Sequence, residues 1–204
     1  IRGEGRAFCS GGDMNEIIGK LLDRPQADRL AFTRTTCALV RNIRLSPQPV
    51  VASLHGAVAG AGAVIALACD LRVAAASTRI SFLFTKVGLA GADMGAAWLL
   101  PRVVGLGRAS EILLLGEAVD AEEAPRAGLV SRVVPDGELA AATAECARRL
   151  AEGPEAAIRA TKRLLQDELE AGFDAALGAE AQGQAALLGG ADHRQDHRAF
   201  NQKR

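Results

Sequence analysis

The segment Gly56-Ala-Val-Ala-Gly-Ala-Gly-Ala-Val-Ile-Ala-Leu-Ala-Cys-Asp70 constrains this chain more than any other. A β-branched run, Pro49-Val-Val-Ala-Ser-Leu54, leads into it, and three glycines, Gly56, Gly60 and Gly62, give way to an apolar, helix-forming stretch. This order predicts a strand, a tight glycine turn and a buried helix whose first N–H groups have no intrahelical partner. Such a helix end carries roughly half a positive charge and attracts an anionic oxygen. The candidate guests are a phosphate and the oxyanion of an activated thioester. The glycine spacing fits neither G-x-G-x-x-G nor a Gly-Lys-Ser/Thr loop, which argues against phosphate. Taken alone, the same glycines are equally what close helix–strand packing requires.

A second glycine element, Gly5-Arg-Ala-Phe-Cys-Ser-Gly-Gly-Asp13 followed by Met14-Asn-Glu-Ile-Ile18, also reads as strand, turn and helix start. Asp13 is placed to cap that helix. Two such turns could each aim one backbone N–H at a single oxygen, the arrangement of an acyl-transfer oxyanion hole. The pair A-F-C-S-G-G-D and P-V-V-A-S-L-H-G-x-x-x-G-A-G resembles the enoyl-CoA hydratase/isomerase (crotonase) superfamily. Further segments follow in the family's order: Cys69-Asp-Leu-Arg-Val-Ala-Ala75, Leu100-Pro-Arg-Val-Val-Gly-Leu-Gly-Arg-Ala109, Ala124-Pro-Arg-Ala-Gly-Leu-Val-Ser-Arg-Val-Val134 and Ala199-Phe-Asn-Gln-Lys-Arg204. The likeness spans essentially the whole chain.

The resemblance implies an α/β fold, the crotonase-like spiral of β-β-α units with a C-terminal helical trimerisation region. Residues 1–135 would form the core and 136–204 the helical region, giving a homotrimer or a dimer of trimers. Roughly 60 strand-rich residues would precede Ile1 in the family pattern. The oxyanion donors would be the backbone N–H groups of Ser10 and Ala61. The latter stands where relatives usually have glycine and is compatible with a first-turn helical φ. Acyl-CoA would be the substrate, coenzyme A entering as part of it, with no permanent cofactor and no metal. Arg6 and Lys203 match phosphate-contacting positions and Phe200 a pocket-closing one. Cys9, Gly12, Gly60 and Met94 would line the substrate site.

One departure bears on the reaction. The two acid/base glutamates of typical hydratases fall on Val64 and Lys86 here, so the pair that positions and splits a water is missing. Asp93, in Val87-Gly-Leu-Ala-Gly-Ala-Asp-Met-Gly95, matches the active-site Asp of dienoyl-CoA isomerases and aryl-CoA dehalogenases. No His lies between residues 1 and 54, which argues against dehalogenation. The expected activity is double-bond isomerisation or an atypical hydration with Asp93 as acid/base. A non-catalytic acyl-CoA-binding or assembly subunit is the rival. An N-cap for the helix beginning near Gly95 is the competing role for Asp93. Trp98 is expected in the core and His55 as a hydrogen-bonded structural residue. His193 and His197, at i and i+4, lack a third ligand.

Composition fits one globular core, with 49% hydrophobic and 24% charged residues, and the formal net charge of zero offers no basic surface for nucleic acid. No apolar run approaches the ~18 residues of a membrane span. Four cysteines without a C-x-x-C spacing point to reduced thiols and a cytoplasmic protein. Strands are expected near 50–54, 71–75 and 79–83, alternating with helices from about 61, 95 and 107, an α/β layering. Residues 13–46 read as mostly helical. After Pro135-Asp-Gly137 the tail reads as three helices, 138–150, from Pro154 to about 168, and 173–188.

Overall fold

Short apolar runs between glycine turns form the strands β1 (Val51–Leu54), β2 (Ala57–Ala59), β3 (Leu71–Ala75), β4 (Arg79–Ser81), β5 (Ala118–Asp120) and β6 (Arg132–Val134). The computed structural model describes residues 1–202, with side chains at all of them except 195, 196 and 199–202. Helices are α1 (Gln26–Leu45), α2 (Ala61–Ala68), α3 (Ala96–Val104), α4 (Leu106–Leu115), α5 (Leu139–Ala151), α6 (Glu155–Asp167), α7 (Phe173–Leu188) and α8 (Ala191–Gln202). The chain divides into two compact units, Ile1–Arg44 with Val50–Glu145, and Leu45–Pro49 with Cys146 onward.

In the first unit the strands lie in two three-stranded sheets, ordered β1-β3-β6 and β2-β4-β5. β1 pairs in parallel with β3, Val51 opposite Leu71, and β2 pairs in parallel with β4, Ala57 opposite Arg79. The two-strand turn β1–β2 is therefore followed by α2 and repeated as β3–β4, one coil of a spiral lying on the next. Residues 1–9 supply the coil on the other side, with Arg2 bridging to Ser53 and Cys9 to Val58, both in parallel. On the far side β6 continues the first sheet in parallel, while β5 closes the second antiparallel to β4. Parallel strands covered on both faces need apolar side chains throughout, and every residue of β1 is buried. Leu54, Val58, Val64, Phe82, Leu100 and Leu129 fill the shared core.

The Cys69-Asp-Leu-Arg72 segment joins one coil to the next by hydrogen bonds. Asp70 Oδ2 accepts the Val50 N–H at 2.7 Å, and Arg44 lies 3.8 Å from its other oxygen. Arg72 donates to three carbonyls, those of Leu129 (2.5 Å), Cys69 (2.6 Å) and Leu67 (3.4 Å). Burial holds the Arg72 pKa below its ordinary value, yet the forked guanidinium satisfies carbonyls left open where α2 ends.

The N-terminal helical stretch departs from regular geometry. Asp13 caps it, accepting the N–H groups of Asn15 (2.9 Å) and Glu16 (2.6 Å). The Asp13 carbonyl then takes both the Ile17 and the Ile18 N–H, so Met14–Gly19 is a widened π-type turn before Lys20–Leu22. α1 begins after Pro25, as the proline predicts. In the second unit α6 packs on α7, with Gly183 beneath Leu164, and the buried Lys162 donates to the Gln48 carbonyl at 2.9 Å.

Two outcomes are expected. Arg72→Met leaves three carbonyls without their donor and should lower the unfolding free energy by about 3 kcal/mol, read as a shifted urea midpoint. Three carboxyls sit below their ordinary 3.8: Asp136 through the Ser77 hydroxyl and N–H, Asp13 through the Glu16 and Asn15 N–H groups, and Asp120 through those of Glu123 and Glu122. A depressed folded-state value stabilises above the unfolded value and loses that contribution as pH falls through the folded one. The urea midpoint should accordingly drop between about pH 5 and about pH 3, and Asp136→Asn should reduce that drop.

Candidate active site

Two backbone segments far apart in sequence are joined directly. Phe8 N–H donates to the His55 carbonyl at 2.9 Å, Cys9 N–H to the Ala57 carbonyl at 3.2 Å, and Ala59 N–H returns to the Cys9 carbonyl at 2.8 Å. His55 Nε2 lies 3.1 Å from the Gly5 carbonyl, which only accepts, so the ring holds this segment in place as a donor. Both segments leave the ladder at the same end. One continues into Ser10, the other through Gly60 into Ala61, the first residue of α2. Neither the Ser10 nor the Ala61 N–H finds an acceptor among the described residues. Two open donors thus stand just past the Cys9–Val58 bridge, one of them at a helix N-terminus.

The glycines are dictated by this approach. A Cβ on Gly62 would sit 2.4 Å from the Cys9 carbonyl oxygen and 2.7 Å from the Cys9 Cβ. Gly11, at φ +104°, packs against the Ala59 carbonyl, which a Cβ would meet at 3.3 Å. Gly60 adopts φ 53°, ψ −121°, a conformation open essentially to glycine alone, while its N–H is anchored on the Ser81 carbonyl at 2.9 Å. Gly12 is less constrained, since its Cβ would touch only the Ile18 side chain. The Gly11-Gly12 doublet does not reveal from sequence which of the two carries the close approach.

Asp93 stands on the loop before α3, which packs against α2. The residue is half-buried, and Oδ1 accepts the Met94 N–H at 2.8 Å. Gly95, not Asp93, is the cap residue of α3, and no side chain bonds the helix N-terminus there. Ala96 N–H closes on the Asp93 carbonyl at 2.8 Å across two residues of positive φ, Met94 at 51° and Gly95 at 94°. That is the pattern of a type I′ turn. Met94 is the sole non-glycine residue with positive φ among those described, and its side chain is 4% exposed within the core. No periodicity signals this turn.

Of the other expected residues, Arg6 is exposed in the turn before Cys9 and Ser10, in a segment read from sequence as a strand that makes only isolated bridges, and a Cβ on Gly56 would lie 2.3 Å from its carbonyl oxygen. Cys9 is half-buried beside Gly62, whereas Cys69 is fully enclosed. Val64 has no exposure, and Lys86 is exposed on the helical turn Leu83–Val87. Trp98 corrects the expectation of a core residue. It is 37% exposed, with the Arg102 guanidinium 3.8 Å above its ring and bonded to its carbonyl, so a cation–π contact replaces burial. The Phe200 side chain and Lys203 lie outside the described residues. No group of three metal-ligating side chains gathers among the described residues.

The stacked coils and the paired turns are those of the crotonase fold. The model of the enoyl-CoA hydratase/isomerase family matches residues 1–204. A probable enoyl-CoA hydratase of Rhodobacter capsulatus is 39% identical over all of this chain and 77% of its own length. The 1,2-epoxyphenylacetyl-CoA isomerase of Escherichia coli K12 is 36% identical over all of this chain and 78% of its own. A Streptomyces coelicolor A3(2) crystal structure, assigned as an enoyl-CoA hydratase, superposes with a TM-score of 0.97 at 54% identity, covering all of this chain and 74% of that one. This chain belongs to the enoyl-CoA hydratase/isomerase family, and it is an acyl-CoA enzyme.

Gly62→Ala is expected to destabilise by about 1–3 kcal/mol, because the methyl must push the Cys9 backbone off β2. Gly107→Ala, in α4 with nothing within 4 Å, should instead be neutral or raise stability by up to about 1 kcal/mol. Thermal unfolding of the two variants side by side checks the contrast.

Proposed function

We propose that the thioester carbonyl of an acyl-CoA binds between the Ser10 and Ala61 N–H groups, which stabilise its enolate, and that Asp93 moves the proton. The observation that carries this reading is the pair of N–H groups, without a partner among the described residues, just past the Cys9–Val58 bridge. Donors of this kind act on charge that develops in the transition state and need no reorganisation when it forms. Asp93 takes a proton from one carbon of the acyl chain and returns it to another, α and γ, so the double bond migrates with no net gain or loss of atoms. Hydration needs a second group to hold and split a water. With Val64 enclosed and Lys86 exposed at the two glutamate positions, isomerisation is favoured over an atypical hydration. That a Streptococcus mutans relative, 34% identical, is named a trans-2-decenoyl-[acyl-carrier-protein] isomerase supports the same choice.

Coenzyme A enters as part of the substrate. Arg6 and Lys203 are proposed phosphate contacts, Phe200 a pocket-closing side chain, and Cys9, Gly12, Gly60 and Met94 the walls beside the acyl thioester. Residues 1–135 hold this chemistry, and 136–204 serve assembly of a homotrimer or dimer of trimers in the cytoplasm. Phe173, Leu177 and Leu188 of α7, all exposed, support an assembly role.

The test is a panel of 2-enoyl-, 3-enoyl- and 3,5-dienoyl-CoA thioesters in D2O, followed by mass spectrometry, with Asp93→Asn alongside. Bond migration or deuterium uptake by the wild type should fall by about 10²–10⁴-fold in the variant. Equal turnover by the variant removes Asp93 from the mechanism. Tight binding without exchange on any thioester leaves a non-catalytic binding subunit.

A further inference from the structure

We propose that Met94 is the positioning residue for Asp93: its buried side chain pins a left-handed turn whose N–H fixes one carboxylate oxygen and leaves the other to carry the proton. The inference rests on Asp93 as the acid/base.

A methionine is out of place at the first central position of a type I′ turn, which favours Asn, Asp or Gly because their backbones tolerate positive φ. Met94 nevertheless adopts φ 51°. What holds it there is its side chain, 4% exposed and part of the same buried cluster as Val64, Leu99 and Leu100. The core thus grips the turn from within, and glycine follows at Gly95, where φ is 94°. The consequence falls on the residue before. Met94 N–H lies 2.8 Å from Asp93 Oδ1, and Ala96 N–H closes the turn on the Asp93 carbonyl at 2.8 Å. Asp93 is therefore held both by its main chain and by one side-chain oxygen. Oδ2 has no partner among the described residues. In the proposed reaction Oδ2 takes the proton as the C–H electron pair passes into the enolate, then gives it back at the second carbon. Methionine suits the task because it is unbranched at Cβ and fills its site without a polar atom that would need a partner.

The test measures kcat and KM separately for wild type, Asp93→Asn, Met94→Gly and Met94→Leu, on the thioester that the wild type isomerises or exchanges. Met94→Gly accepts the turn but removes the anchor, and its kcat should fall by about 10²-fold while KM changes by less than about 3-fold. Met94→Leu restores an apolar anchor that is unbranched at Cβ and should recover kcat to within about 3-fold of wild type. If the glycine variant does not fold, Met94→Asn, which also tolerates positive φ, replaces it with the same expected result. A glycine variant with normal kcat, or a loss confined to KM, overturns the proposal, the second outcome leaving Met94 no role beyond that of a wall of the acyl pocket. A leucine variant as slow as the glycine variant overturns it too. If Asp93→Asn is inactive while Met94→Gly is normal, only the positioning role falls. If Asp93→Asn matches wild type, or the wild type turns over no thioester, the acid/base reading fails first and this inference with it.

Discussion

The parallel pairing of Phe8–Cys9 with β2 is the interaction on which the rest of the first unit depends. Three backbone hydrogen bonds at 2.8–3.2 Å bring the two glycine turns together. Gly62 lets α2 start against the Cys9 main chain, and Gly11 lets the other segment turn away over the Ala59 carbonyl. The open donors at Ser10 and Ala61 follow from that approach with no side chain involved. On the other flank, Asp70 and Arg72 lock the end of α2 to β1 and to the Leu129 carbonyl, so the helix is held at both ends.

Elements with a strong local signal were legible in the sequence. The β-branched run before Gly56 gives β1, the Ala-rich stretch after Gly60 gives α2, Asp13 caps as its chemistry predicts, and Pro25 and Pro154 each stand before a helix. The strands β2, β5 and β6 were not legible. Ala57-Val-Ala59 reads as part of a glycine turn, and its strand character comes from neighbours on both sides, Cys9 and Ile80, that sequence distance conceals. The widened turn at Met14–Gly19 was hidden for a similar reason, since its residues carry an ordinary helical pattern.

At the site, the residue types were readable and their geometry was not. The glycines announced a close approach, but only the fold distinguishes Gly11, held against a carbonyl, from Gly12, beside the Ile18 side chain. Asp93 was visible as an acid before a helix. That its carboxylate meets the Met94 N–H instead of the helix end depends on a positive φ at Met94 that nothing local favours. Trp98 misled because indole size argues for burial, while Arg102 one helical turn on covers its face from outside.

The attachment of residues 1–9 has a kinetic side. Ser53 N–H reaches the Ile1 carbonyl at 2.9 Å and Cys9 lies opposite Val58, so this coil closes only across the whole of α1. Contacts between partners so distant in sequence form slowly, because the intervening chain must first be gathered. Strands β1 to β4 and α2, by contrast, close through short connections. Of the two open N–H groups, Ala61 therefore becomes ordered with its own coil, and Ser10 waits for the docking of residues 1–9. Local detachment of that segment separates the donors while the stacked coils behind it keep their pairing.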